Sequence, residues 1–451
     1  MDTIVTRILT QREVIQDKYV VCDMAARLNN HAHELSGQGK ITASLVASRR
    51  ALALEPDHPV ILACHGGILF DCYEYVEAEG HLRKSISIEP DYAPAHANLA
   101  TILNAQGRFD EAKTSFRRSL EIEPDYTDAR WNFAMCLLDN GEWSKAWSHY
   151  EARKERGGVR LYPHLPYPQW RGENLNGKTL HVQGEQGVGD RTLFSRYLVW
   201  IKQLYPETKI NFMFNAEDLP NIANFMWGYR ETVNFLPNGI PWPEADYGIY
   251  LMSLPELHGT MPDNIYPEPN VILNNALRHK KSVSLPGVDE GMLKIGIAWT
   301  GNPQMKRNNE RSIPLELMLQ LATIPNVVLY GLQIGTSDIN RLGAHQLICD
   351  LTNDIKPYGF TGTAAVMLNL DLVITCCTAT AHVAGALGVP CWTLLCANPY
   401  WLWLRGRTDS VWYQNTRLFR QKTMGDWSPV IEEVKSELAR YSVEDRRKSA
   451  A

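Results

Sequence analysis

The stretch DLVITCCTATAHVAGALGVPCWTLL, Asp371–Leu395, decides the fold. Its first apolar run, Leu372–Cys377, reads as a buried strand. Small and hydroxyl residues follow, Thr378, Ala379, Thr380 and Ala381. His382–Gly388 then reads as a helix ended by glycine. Pro390 cannot continue that helix, and Cys391–Leu395 reads as the next strand. The unit is strand, turn, helix, strand, the repeating piece of a parallel α/β sheet. The first amides of its helix have no intrahelical acceptor and sit at the positive end of the helix dipole, where phosphate binds. The small side chains from Thr378 to Ala381 let an anion approach the backbone. An ordinary packing unit with no ligand is the competing reading.

Working outward, 451 residues predict two or three domains. With 45% hydrophobic and 21% charged residues, the composition is that of a soluble globular protein. A net charge of −5 leaves no global footprint for nucleic acid or anionic membrane, although a local basic groove stays open. No apolar run approaches a membrane span, and the first residues lack a signal-peptide core. The nine cysteines are scattered and without metal-ligand spacing, which fits reduced thiols in the cytoplasm.

Upstream, three segments match at a fixed offset: ALALEPDHP, SISIEPDYA and SLEIEPDYT. Their prolines, Pro56, Pro90 and Pro124, are evenly spaced, with a period of about 34 residues. Gly39, Tyr73, Gly107 and Gly141 share one register, with tyrosine the exception. Ser44, Ala78, Ala112 and Ala146 share a second, and Ile41, Tyr75, Phe109 and Trp143 a third. This pattern resembles the tetratricopeptide repeat, with three good repeats and a partial one from about Tyr19 to Arg156. Stacked helix pairs leave a concave surface, read either as a groove for a peptide or protein or as a spacer or dimerisation element. Asn98, Arg130, Trp131 and Asn132 are the candidates to meet a peptide, Trp131 being equally a core residue.

Gly157-Gly158 and the prolines of LYPHLPYPQW read as a linker. Lys178–Val182 then reads as a strand entering GEQGVGD, Gly184–Asp190, with a helix over Arg191–Tyr205. Gly187 and Gly189 invite a dinucleotide fingerprint, but Thr192 occupies the third glycine position, which argues against nicotinamide or flavin. Asp190 is either a helix cap or a carboxylate reaching the cleft at the sheet edge. Lys209–Asn215, Thr232–Leu236 and Tyr247–Leu251 are further predicted strands. Lys294–Thr300 and Val327–Leu332 follow, flanking a basic loop with Lys306, Arg307 and Arg311. The aromatic stretch Tyr400–Trp412 either packs across domains or stacks on a sugar or base, and the tail after Tyr441 reads as disordered.

Taken together, GEQGVGD…FSRY, KIGIAWTGNP…RSIPL, LQIG, DLVIT…TATAHVAGALGVPCW and WLRGRTDSVWYQNTRLFRQ…GDW resemble the tetratricopeptide-repeat glycosyltransferases of bacteria and their phages. The C-terminal half is similar to the heptosyltransferase-like group with the GT-B fold. The resemblance runs from Tyr19 to Leu438. It implies an α plus α/β chain: repeats over 1–156, an acceptor-side Rossmann-like domain over 157–286, and a nucleotide-sugar-binding Rossmann-like domain with tail over 287–451. It implies a nucleotide-sugar as substrate, with no cofactor and no metal. Asp190 corresponds to the general base, with Gly187 and Gly189 in its loop. Lys306 and Arg311 fall where cations neutralise the diphosphate. Thr378, Ala379, Thr380 and Ala381 supply helix-end amides, His382 follows them, and Gln333 lies among residues facing the nucleotide. Where many relatives read Asp-Thr, this chain reads Cys377-Thr378, which removes a carboxylate that would face the donor sugar. A packing role is expected for Cys377.

The chemistry asks for the same groups. Glycosyl transfer builds charge on a leaving diphosphate, which amides and cations stabilise, and needs a base for the acceptor proton. The expected activity is metal-independent, inverting transfer to a macromolecule, with protein the first acceptor. Modified phage DNA, or a glycan or lipid precursor, is the alternative. A non-catalytic repeat scaffold with a degenerate transferase half is the reading of another class.

Overall fold

A computed structural model describes residues 22–156, 162–214, 226–231, 233–268, 272, 276–277, 285–286, 291–303, 305, 307–334 and 338–441. Gly157-Gly158, Lys306 and the tail beyond Tyr441 lie outside them. The chain divides into two units after Pro163.

In the first unit the sequence period becomes helix pairs. They are α1 Asp23–Gly37 and α2 Ile41–Leu54, α3 Pro59–Asp71 and α4 Tyr75–Ile88, α5 Ala93–Ala105 and α6 Phe109–Ile122, and α7 Thr127–Asp139 and α8 Trp143–Tyr150. Ser44, Ala78, Ala112 and Ala146 are fully buried, because only a small side chain lets paired helices approach there. Pro56, Pro90 and Pro124 follow the ends of α2, α4 and α6, where proline cannot extend a helix. The turn within each pair needs a left-handed residue. Gly39, Gly107 and Gly141 supply it with φ of 75°, 80° and 75°, and Tyr73 is forced to φ 64° at the same place.

The second unit holds two separate, wholly parallel sheets. The first orders its strands β3-β2-β1-β4, from β1 Thr179–Gln183, β2 Lys209–Phe214, β3 Asn234–Pro237 and β4 Tyr247–Tyr250. The second orders them β7-β6-β5-β8-β9-β10, from β5 Leu293–Ala298, β6 Val327–Gly331, β7 Ile348–Asp350, β8 Leu372–Cys376, β9 Cys391–Leu395 and β10 Thr416–Arg420. Counted from its own first strand this is 3-2-1-4-5-6, the doubly wound order of a Rossmann-like domain. Its strands bury side chains on both faces, with Ile295, Ile297, Leu329 and Ile374 at the centre of one layer. Val430, Ile431, Val434 and Leu438 of the last long helix, Ser428–Arg440, close that layer.

The elements differ from the sequence reading in three places. The predicted helix over Arg191–Tyr205 begins earlier and is broken: α9 is Val188–Phe194 and α10 is Arg196–Leu204. The Ser195 hydroxyl bonds the Thr192 carbonyl at the break. The helix predicted from His382 starts at Ala379, so the residues read as a turn form its first turn; this is α11, Ala379–Ala386. Strands β7 and β10 were not anticipated.

Candidate active site

In a doubly wound sheet, ligands bind beyond the strand C-termini where the order reverses. In the second sheet that crevice opens between β5 and β8. The chain leaves β5 through Trp299-Thr300-Gly301, and leaves β8 through Cys377-Thr378 into α11. The first sheet reverses between β1 and β4. There Glu185, buried just past β1, accepts the Met252 N–H beyond β4 at 2.8 Å.

The two crevices meet. Helix α9 leaves the first and α11 leaves the second, and they pack against each other. Gly189 is the contact point. A Cβ there would lie 2.8 Å from His382 Cδ2 and 3.3 Å from Ala379 Cα. Its glycine thus serves helix-to-helix approach, while Gly187 is the N-cap of α9.

Asp190 is the third residue of α9, so it is not the N-cap. Its carboxylate reaches back and accepts the Gly187 N–H at 3.3 Å. The residue keeps part of its surface open. Burial nevertheless pushes the carboxyl up to about 6, with Glu185 adding to the rise and the Gly187 N–H and Arg191 opposing it. A half-shielded carboxylate titrating there can take a proton near neutral pH.

Across the contact, Arg311 lies on Gly301, where a Cβ would sit 2.3 Å from its Nη2. Its Nη1 donates to the Cys377 carbonyl at 3.1 Å, its Nε to Asn308 Oδ1 at 3.1 Å, and its Nη2 to Met305 Sδ at 3.0 Å. Among the described residues it pairs with no carboxylate. Asn308 is the organiser that sequence reasoning missed. It is buried, its Oδ1 also accepts the Gly301 N–H at 3.1 Å, and its Nδ2 donates to Thr300 Oγ1 at 3.0 Å. Gln333 Oε1 accepts the Thr300 N–H at 3.2 Å, which places Gln333 at the same crevice.

Thr378 is the N-cap of α11, yet its side chain makes no capping bond. Its buried Oγ1 has no oxygen or nitrogen partner among the described residues. The α11 start therefore has no side-chain cap on its first-turn amides among the described residues, and it lies beside a cation. Arg311 reaches the Cys377 carbonyl just before α11, and α9, which carries Asp190, packs on α11.

Cys377 itself is occupied. Trp403 Nε1 donates to its sulfur at 2.9 Å, and burial raises its pKa. His382 is buried, stacks on Trp403 at 5.4 Å, and meets the Tyr413 hydroxyl through Nδ1 at 3.2 Å. Burial, with Arg196 nearby, lowers it to about 3, so this imidazole is neutral and serves packing. The aromatic stretch is also core: Trp401, Trp403 and Trp412 are buried, and Phe194 of α9 meets Trp412 edge-on at 5.8 Å. Arg196 of α10 adds a second clamp. Its guanidinium lies over Trp412 and Tyr413 and pairs with Glu268 at 3.0 Å. Arg307 pairs with Glu310, and Arg407 with Asp409. In the first unit, Trp131 stacks on Tyr150 at 5.4 Å and Arg130 pairs with Glu155. Asn98 donates to the Ala63 carbonyl, and Asn132 faces Thr101.

Comparison with known proteins bears on the two units differently. A tetratricopeptide-repeat family model matches residues 69–118 and 103–150. The first unit is a tetratricopeptide-repeat array. The array is similar to YrrB, described as a TPR protein with an unusual peptide-binding site, at 24% identity over 30% of this chain and 70% of that one, with a TM-score of 0.24. Over 94% of this chain and 91% of the other, alignment runs to a mutant O-GlcNAc transferase of Thermobaculum terrenum, at 16% identity and a TM-score of 0.32. Protein FlbA of Caulobacter vibrioides is 27% identical over 330 residues, 66% of this chain and 52% of that protein. The chain thus spans about half the length of this curated relative. Among the described residues no helix is long and apolar enough to cross a membrane.

Proposed function

We propose that the chain is a glycosyltransferase that moves a sugar from a nucleotide-sugar to a macromolecular acceptor, by inverting transfer without a metal. The observation that supports the reading is the packing, at Gly189, of the helix that carries Asp190 on the helix α11, beside whose start Arg311 is bound. A carboxylate raised to about 6 stands on one side, and a cation and the α11 start stand on the other.

In the step this implies, the acceptor proton passes to Asp190 as its heteroatom bonds the anomeric carbon. The bond from that carbon to the diphosphate oxygen breaks, and its electron pair stays on the diphosphate. Arg311 and the α11 amides meet that charge as it grows. Lys306 joins them in this reading. Gln333 holds the Thr300 backbone against the nucleotide, and the repeats bring in a protein acceptor.

Native mass spectrometry of the purified protein with a panel of nucleoside-diphosphate sugars tests the donor. One should bind and be turned over. Removal of residues 1–156 should abolish transfer to the macromolecule while slow donor hydrolysis persists.

The scaffold reading has one observation in its favour. Cys377, where the resemblance implies an aspartate in many relatives, is engaged by Trp403. It predicts that no donor binds.

A further inference from the structure

The array repeats its contacts from one helix pair to the next, so a residue that breaks the pattern stands out against its own equivalents. The α6–α7 contact has Phe116 and Phe133, stacked at 5.4 Å. Two repeats earlier, the α2–α3 contact has Ser48 and His65 at the same positions. The intermediate equivalents are Leu82 and Leu99, both buried. Two polar residues thus replace an apolar pair at touching, buried positions. Burying them costs free energy that an apolar pair would not.

Their bonding is directional. Ser48 Oγ donates to the Leu45 carbonyl at 3.0 Å and meets His65 Nδ1 at 2.9 Å. A hydroxyl has one proton. When that proton bonds the Leu45 carbonyl, Ser48 accepts from His65 Nδ1–H, and the lone pair of the imidazole is on Nε2. A hydrogen bond of this kind, made by the nitrogen facing away from the ion, fixes the tautomer of metal-ligating histidines.

Two more ligands lie beside it on α4. Glu77 and His81 are one helical turn apart, 3.7 Å between Oε1 and Nε2, and partly exposed. The His65 and His81 rings are 5.0 Å apart, and one ligand atom from each of His65, Glu77 and His81 falls within 4.8 Å of the other two. We infer that His65, Glu77 and His81 bind a first-row divalent cation of the zinc class, tying α3 to α4 within the second helix pair. Metal–ligand bonds of about 2.0–2.2 Å place tetrahedral ligands roughly 3.5 Å apart. The accessible Glu77 and His81 side chains close that gap. Two imidazoles and a carboxylate leave a fourth position for water. The next repeat lacks the set: its equivalent positions read Leu99, Glu111 and Ser115.

The test is titration of the full chain, stripped of metal, with cobalt(II), read by its visible absorption and displaced by zinc. One ion per chain should bind. Ser48→Ala, which removes the bond behind His65 along with that to the Leu45 carbonyl and leaves all three ligands in place, should weaken binding by roughly 10–100-fold. His81→Ala and Glu77→Gln, both at accessible positions, should weaken it further than that. His65→Leu, which installs the next repeat's residue, should abolish binding. Zinc should raise the melting temperature of the wild type and not of the His65, Glu77 and His81 variants. Absence of stoichiometric binding, or wild-type binding by His81→Ala and Glu77→Gln, would overturn the assignment.

Discussion

At the C-terminal edge of the first sheet, the chain turns through Gly187 into α9 and presents the carboxylate of Asp190. At the same edge of the second sheet it turns through Thr378 into α11 and presents no carboxylate, with Arg311 held behind it. The same strand-to-helix turn gives opposite electrostatics. In α9 the carboxylate satisfies a backbone N–H of its own turn, so the helix end is closed to an anion. In α11 the cap makes no bond, so the helix end stays open to one. In the proposed reaction the two halves divide the labour, proton removal on one side and charge stabilisation on the other.

The largest effect that would break this division is on the base. Asp190→Asn should lower turnover by about two to four orders of magnitude. In the wild type, kcat/KM should fall as pH drops through about 6, because the carboxyl is then protonated. The sign for stability is opposite. A carboxyl raised in the folded state loses stability as pH rises toward 6, so Asp190→Asn should melt higher than wild type at pH 8. Full turnover in the variant would reduce Asp190 to a helix cap.

A smaller effect is expected from the other side. Arg311→Ala removes charged hydrogen bonds of about 1.5–3 kcal/mol, or roughly 10–100-fold in donor affinity, measurable by calorimetry. Smaller again, Gly189→Ala should destabilise the second unit by about 1–3 kcal/mol in a denaturant melt. Its Cβ meets His382 and Ala379, and Trp403 stops His382 from yielding. The smallest effect lies in the repeats. Tyr73→Gly should stabilise the array by up to about 1 kcal/mol, since it relieves a left-handed tyrosine against the entropy glycine adds to the unfolded chain.

What the sequence disclosed follows from how local each contact is. The repeat period was legible because each helix pair reproduces the same small residues, and even Tyr73 betrayed itself by standing among glycines. Strands β1, β5, β8 and β9 were legible as apolar runs bounded by turns. β10 escaped because its sequence TRLFR alternates charge with apolar residues: Arg417 reaches Glu437 and lies over Phe419. The start of α9 escaped because glycine at 187 and 189 argues for a loop, whereas here one caps the helix and the other admits α11. The resemblance named the site's residues, but the contacts that hold them together were not legible. Gly189 acts through His382, Trp403 through Cys377, and Asn308 through the Arg311 that reaches the Cys377 carbonyl. These contacts join stretches far apart in the chain, and no spacing announces them.

Calorimetric titration of the donor into wild type, Asp190→Asn and Arg311→Ala tests the division of labour most directly. Donor affinity should be unchanged in Asp190→Asn and fall by roughly tenfold or more in Arg311→Ala. Equal loss in both, or unchanged binding in Arg311→Ala, would contradict that division.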